Sequence, residues 1–468
     1  MPKIICFLIL LNSMLVHGQT FGRLFANADK VVITPPLGTE MVEPRGTLAT
    51  GVHDELYARA MVLSDGRTKV AIVTLDLIGL DFKLVDRIQK AVFSKTGIPA
   101  THLMLSCSHT HNAPITVELG PSMSNRNRQW ESAMVEKVAK LVSSTQKKLF
   151  PVNLAVGKDR VQIGLNRRVS QFYRARMVPN PAGPMADHTF VLSLQNNAKD
   201  HLAVLYNYPA HPVAVHSTST ELSADYPGYA TSALHERLGQ QTIAMFAQAC
   251  GGNINVQPLQ GGFEKAEQAG QLLAIAVNKA ITESETIEAD CIHIANKEIY
   301  LPFHAVSDET AHAMQLRLQE SMKTLKERGG NKAQLKEQED LIHWTHRLHR
   351  KSKDPELGQG IPFHIQAFAL GKEFVILAMT HEVFVEYQLA IELASPFKYT
   401  MVLAYSNGCA SYVPTAEAFF FGGYEVFGAQ QRYTMPYLKP DSEDKIKDAC
   451  DELLNTLFEK IELSNQGG

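Results

Sequence analysis

Cysteine is scarce in this chain of 468 residues, which carries six, scattered and without a C-x-x-C pair. That scarcity excludes a disulfide scaffold. Cys6 belongs to the N-terminal leader, and the remaining five (Cys107, Cys250, Cys291, Cys409 and Cys450) are odd in number. One or two bridges stay open, and at least one thiol must be free or buried. A surplus of charge of one sign is also lacking, since 45 basic residues meet 48 acidic ones for a net charge of -3. With no basic field and no acidic tail, neither nucleic acid nor a charged binding arm is expected. Past the leader, no apolar run approaches the roughly 20 residues a transmembrane helix needs. No repeat and no low-complexity linker divides the chain, so one catalytic unit is expected rather than a string of modules.

The first residues differ from the rest. Lys3 supplies a positive start, 4–16 an apolar core and Val16-His-Gly18 a small-residue exit before Gln19. This is the pattern of a secretory signal peptide over 1–18. The mature chain, 19–468, is then expected to be exported and soluble, in a periplasm or outside the cell. No Cys follows the cleavage point, so no lipid anchor is expected there.

Short apolar runs recur at 69–75, 103–105, 189–194, 202–206, 242–246, 373–378 and 399–404. Each has the length and the β-branched or aromatic content of a buried strand. Helical periodicity follows several of them, at 82–96, 131–149, 228–238 and 264–284, and a final amphipathic helix is expected over 442–463. Strands alternating with helices predict an α/β fold, mixed sheets with helices packed on their faces. The stretch 307–355 is dense in charged and amide residues and broken at Gly329-Gly330, which predicts a helical hairpin insertion. It reads either as a solvated, charge-laced face or as a lid.

The chemistry concentrates where apolar runs end. Leu105-Ser-Cys-Ser-His-Thr-His-Asn-Ala-Pro114 sets His109 and His111 two residues apart, so that on a strand end both imidazoles point to one face. Imidazole is the commonest biological ligand for zinc-like metals, and the pair reads as half of a metal site. His211 follows the run 202–206, where an α/β sheet presents functional groups. Gly251-Gly252 gives backbone that could approach a ligand or bind an oxyanion, or simply make a tight turn. His381 and Glu382 close the run 373–378; the carboxylate could complete a metal site or cap a helix.

Together these segments resemble the neutral/alkaline ceramidase family. The resemblance rests on Ser108-His-Thr-His-Asn-Ala-Pro114, Asn166-Arg167, Ala210-His-Pro212, Gly251-Gly-Asn-Ile-Asn255, Glu382, Tyr412-Val-Pro-Thr and Gly423-Tyr-Glu425. The opening adds Ile33-Thr-Pro-Pro36 and Gly51-Val-His-Asp-Glu-Leu-Tyr-Ala-Arg-Ala60. The match runs in order from about Val31 to about Tyr433. It implies a hydrolase of the amide bond of N-acyl sphingoid bases with one zinc ion, held by His109, His211, Glu382 and Tyr412. His111 would face the substrate carbonyl, with Arg167 and Tyr424 completing the catalytic lining. Asn112, Asn253 and Asn255 would lie on the substrate side.

The chain departs from the family pattern at the glycine turn. There the family has Gly-Asp-x-Ser-Pro-Asn, and here Asn253 and Asn255 take the Asp and Ser positions. An amide is no oxygen nucleophile. The first His motif continues Asn112-Ala-Pro114 instead of Ser-Gly-Pro, and the family's C-terminal β-sandwich domain is not expected. A small-molecule, lipid or glycan substrate therefore stays open. The leading expectation is a secreted zinc amidase acting on ceramide or another N-acyl compound. The same metal site acting on an ester, lactone or glycan is one alternative, and a non-catalytic ligand-binding protein on this scaffold is another.

Overall fold

The computed structural model describes residues 24–120, 125–171, 173–351 and 360–466. The leader 1–18 and the end of the 307–355 segment lie outside the described residues. Three sheets share one central core. The first runs, in spatial order, Leu103–Cys107, Lys69–Leu75, Tyr57–Ser64, Phe25–Val32 and Phe150–Pro151. A second has the order Ile243–Gln248, His201–Tyr208, His188–Gln195, Asn153–Arg160 and Glu285–Ile287. The third orders Ile292–Leu301, Ile361–Leu370, Phe374–Met379 and Tyr399–Leu403.

Side-chain alternation explains why these strands read as unbroken apolar runs. Along Tyr57–Ser64 and Lys69–Leu75, Met61, Leu63, Val70 and Ile72 point into the central core. Their neighbours Ala60, Val62, Ala71 and Val73 point outward, against the helices Phe82–Thr96 and Arg128–Thr145. A strand covered on both faces has no reason to alternate apolar with polar. The helices Asp225–Leu238 and Phe263–Thr282 cover the second sheet in the same way, and Val385–Ala394 and Ser442–Gln466 cover the third.

Each sheet carries one parallel pair within otherwise antiparallel neighbours. The pairs are Lys69–Leu75 with Leu103–Cys107, His201–Tyr208 with Ile243–Gln248, and Phe374–Met379 with Tyr399–Leu403. Their carboxyl ends supply the candidate site: His109 lies just past the first pair, His211 past the second and Glu382 past the third. Functional groups collect at such strand ends because the loops leaving them are free to vary. A two-residue parallel ladder then sets Glu382 beside Tyr412.

The 307–355 segment contains the helices Asp308–Glu327 and Lys332–Lys351. Ser307 caps the first through a bond from Thr310 N. The second helix is anchored over the loops that wall the candidate site. Trp344, 1% exposed, donates its Nε1–H to Met435 O at 2.8 Å, while Asp340 pairs with Arg45 and Arg347 with Glu118. The one or two bridges that the cysteine count left open do not form, because all five described cysteines are free.

Candidate functional site

His109 takes a left-handed backbone conformation, φ 68°, two residues past its strand. A bulky residue adopts that shape only when its surroundings impose it, and such residues gather at functional sites. The turn aims Nδ1 at Ile78 O, 2.5 Å away, and Nε2 at Glu382 Oε2, 3.2 Å away. His211, three residues past a strand of the second sheet, is likewise fixed at Nδ1 by carbonyl oxygens. Its Nδ1 lies 2.8 Å from Gly251 O and its Nε2 lies 3.2 Å from the same carboxylate oxygen and 3.0 Å from Tyr412 Oη. His109, His211 and Glu382 are each 1–2% exposed.

These contacts test whether a cation fits. A carbonyl oxygen only accepts, so each Nδ1 must carry the proton and each Nε2 must present a lone pair. Two lone pairs then face one carboxylate oxygen; the Tyr412 hydroxyl can donate to that of His211, but that of His109 has no donor, and a cation among the three would relieve the repulsion. Nε2 of His109 has no hydrogen-bond partner among the described residues. Imidazoles fixed at Nδ1 by carbonyl acceptors, with Nε2 turned inward, are the usual posture of metal-binding histidines. Burial and the nearby Arg167 push the His211 pKa down to about 3, so a proton does not solve the problem at neutral pH. The donor set fits a divalent ion.

Tyr412 is pushed well above the ordinary phenol range, by burial first and then by Glu382. Arg167 opposes that push. Its guanidinium donates from Nη2 to Tyr412 Oη at 3.1 Å, from Nη1 to Asn255 Oδ1 at 2.9 Å and from Nε to Glu425 Oε1 at 2.9 Å. With all three nitrogens engaged, Arg167 supports Tyr412 from behind and does not line the cleft. Asn255 is held by Arg167, and its backbone bridges to His211. Asn253 lies further back, donating to Glu386 Oε2 at 2.8 Å and accepting from Val385 N at 2.9 Å, at the start of the helix Val385–Ala394. Asn112 donates to His216 O and Ser219 O and holds that loop. These three amides shape the walls from behind them.

His111 stands differently. Its ring meets His109 edge-on, with centroids 5.0 Å apart, and neither of its nitrogens has a hydrogen-bond partner among the described residues. Burial first, then the neighbouring imidazoles, keep its pKa well below 6.5. It is therefore a neutral imidazole with both ring nitrogens uncommitted, lining a narrow cleft. Tyr424 lines the same cleft, with Arg432, Tyr433 and Leu119. His109, His111 and His211 form a set whose donor atoms all lie within 4.8 Å of one another, and Glu43, His111 and His216 form another. The second set already has a cation, since Arg432 Nη2 donates to Glu43 Oε1 at 3.0 Å.

Arg432 and Tyr433 were not legible in the sequence as site residues. Tyr433 donates to Glu382 Oε1 at 2.6 Å across 51 residues of chain, reached only after the π-helical turn Tyr424–Gly428. No local pattern marks that approach.

Fold and site together define an α/β scaffold, with three sheets converging on a buried His-His-Glu-Tyr cluster suited to a metal. The chain belongs to the neutral/alkaline non-lysosomal ceramidase family, whose N-terminal model matches residues 45–279, about half of its length. Its fold is similar to that of the neutral ceramidase from Pseudomonas aeruginosa, with a TM-score of 0.69 at 17% identity, covering 94% of this chain and 75% of that one. A structure of a ceramidase complexed with C2 is similar to the same degree, with a TM-score of 0.69 at 16% identity, covering 94% of this chain and 76% of that one.

Proposed function

We propose that the chain is an exported, zinc-dependent amidase that cleaves the amide bond of an N-acyl lipid of the ceramide type with water as the nucleophile. The observation carrying this reading is the pair of inward-facing Nε2 lone pairs on one buried carboxylate oxygen. Family membership supports the amide bond as the target. His109, His211, Glu382 and Tyr412 would hold the ion. When bound, it would polarise the substrate carbonyl and acidify water.

The chain's own residues supply the rest. His111, neutral and uncommitted at both nitrogens, accepts a proton as water attacks and returns it to the leaving amine nitrogen. Tyr424, lining the same cleft, donates its hydroxyl to the developing oxyanion, and Arg432 adds positive charge near it. Arg167 keeps Tyr412 oriented. Asn255 is occupied by Arg167 and attacks nothing, which leaves water as the nucleophile.

The test is metal analysis of the purified protein together with turnover of a short-chain N-acyl sphingoid base, with an ester and an oligosaccharide as comparators. Wild type should hold one zinc and cleave the amide. His109→Ala should lose both, while His111→Asn should keep the zinc and lose about 10²–10⁴-fold in kcat. Full turnover by zinc-free protein, or turnover of only the comparators, would overturn the reading. Export is checked separately, by sequencing the N-terminus of secreted protein for a start at Gln19.

A further inference from the structure

The groups of the candidate site are enclosed. His109, His211 and Glu382 are each 1–2% exposed, and both ring nitrogens of His111 are buried. Groups shut away like this meet a substrate only when part of their wall moves. The metal cluster hangs from the ends of three sheets and has little freedom. Val42, Val117, Leu119, Arg432 and Tyr433 line the same cleft from segments outside the sheets, where local opening is easiest.

One helix pins all three of those segments. Along Lys332–Lys351, Asp340, Trp344 and Arg347 recur at helical spacing on one face. Asp340 pairs with Arg45, three residues past Val42, and lies so close to Gly120 that a Cβ there would stand 2.9 Å from its Oδ1. Arg347 pairs with Glu118, which sits between Val117 and Leu119. Trp344 donates to Met435 O, two residues past Tyr433, and its ring centroid lies 5.2 Å from that of Tyr437. The other helix of the hairpin, Asp308–Glu327, buries little beyond Ala311.

These attachments differ in kind. Arg45, Arg347 and Glu118 are part-exposed, so both ion pairs are within reach of water and salt. Pairs of that sort are weak and easily screened. Trp344 is buried and holds without charge. The helix therefore has one fixed point, with a releasable contact on each side of it along the chain.

We propose that the helix Lys332–Lys351 is a latch on the cleft: the Asp340–Arg45 and Arg347–Glu118 pairs hold the segments 42–46 and 117–120 closed, and substrate enters when they release with Trp344 as the pivot. What enters rests on the amidase reading above, whereas the latch itself is tested without substrate.

Three backbone amides report the opening. Val42 N–H donates to Ala113 O at 3.0 Å, Glu43 N–H to His111 O at 3.1 Å and Gly120 N–H to Arg432 O at 3.0 Å. Each exchanges with solvent deuterium when its bond across the wall breaks. Hydrogen exchange of the full-length protein, read by mass spectrometry at about 10 mM and about 1 M salt, follows them. In wild type these amides should exchange about three- to tenfold faster at high salt, and kcat/KM for the N-acyl substrate should rise with them. In Asp340→Asn with Arg347→Gln, exchange should be fast at both concentrations. The strands Leu103–Cys107 and Ile243–Gln248 should stay equally slow throughout, marking an intact fold. If the double variant does not fold, the wild-type salt comparison still decides. Wild-type amides indifferent to salt, or variant amides as slow as those of wild type, overturn the proposal; so do core strands that speed up equally, and a kcat/KM that stays flat while the wall opens. A wall that opens with salt in a protein that cleaves no amide would overturn the amidase reading and leave the latch standing.

Discussion

Glu382 must serve two imidazoles with one oxygen, and a carboxylate free to rotate would not hold that posture. Its second oxygen is fixed by the Tyr433 hydroxyl at 2.6 Å, and Cys409 Sγ lies 3.4 Å behind that hydroxyl. On the zinc reading Tyr433 is therefore a positioning residue: it would act on the ion through Glu382. Tyr433→Phe keeps the ring and its packing but leaves Glu382 Oε1 buried without a donor, at a cost of about 1–3 kcal/mol. The expected result is zinc affinity weakened about 10–100-fold by chelator competition, with kcat at saturating zinc close to wild type. Unchanged affinity would show that the hydroxyl merely fills space. The contrast with Glu382 itself is instructive. Glu382 follows an apolar run and could be picked out from the chain as a carboxylate at a strand end, whereas Tyr433 owes its role to a tertiary approach. Arg167, Asn253 and Asn255 repeat the lesson: their motif positions were legible, but their hydrogen bonds to residues 88 to 258 positions away turned them from lining into support.

At the level of elements, the strands buried on both faces were plain in the sequence, and so were the helices that cover them. What escaped was the partly exposed set. Gly164–Gln171 and Arg174–Asn180 carry polar residues because one face meets the Arg167–Glu425 network and the other meets solvent, so neither apolar runs nor alternation mark them. Ile292–Leu301 has only its two ends buried and shows the same weak pattern. The helix Asp225–Leu238 was legible but holds an electrostatic tension in its last turn. His235 there is 8% exposed, and its Nε2 has no hydrogen-bond partner among the described residues. A helix C-terminus ordinarily favours a protonated histidine. Here burial, with Lys30 and Arg59 nearby, pushes its pKa down from 6.5 to about 4. Between those two values the unfolded chain binds more protons than the folded one, so stability rises with pH across the window and is lost as pH falls through it. Allowing for solvent screening, His235 contributes about 1–2 kcal/mol to that acid limb. Chemical denaturation of His235→Gln across the same window should show a flatter limb; an unchanged slope would place the acid sensitivity elsewhere.

On the scale of the whole molecule, the site is a junction. His109 comes from the end of the first sheet, His211 from the second, and Glu382 with Tyr412 from beyond the third. Without a cation, the three strand ends bring two imidazole lone pairs and a carboxylate together in a buried space, and each is costly to leave unpaired there. With one, the same four groups become a further cross-link between sheets that already share the central core and direct bonds at their strand ends, such as Cys107 N–H to Tyr405 O and Ala404 N–H to Gln248 O. Binding to the folded state alone then stabilises all three sheets at once, by about 3–4 kcal/mol when free metal exceeds its Kd by about 100–1,000-fold. Removing the metal with a chelator should lower the melting temperature of wild type by several degrees, and returning zinc should restore it. His109→Ala cannot complete the cross-link, so it should melt lower from the start and show little further response to the chelator. Scanning calorimetry on both proteins, with metal content measured in the same samples, decides the matter. A wild type that loses its zinc and keeps its melting temperature would mean that the strand ends are held by the core and by their own hydrogen bonds, and that the cluster binds its ion without bracing the fold.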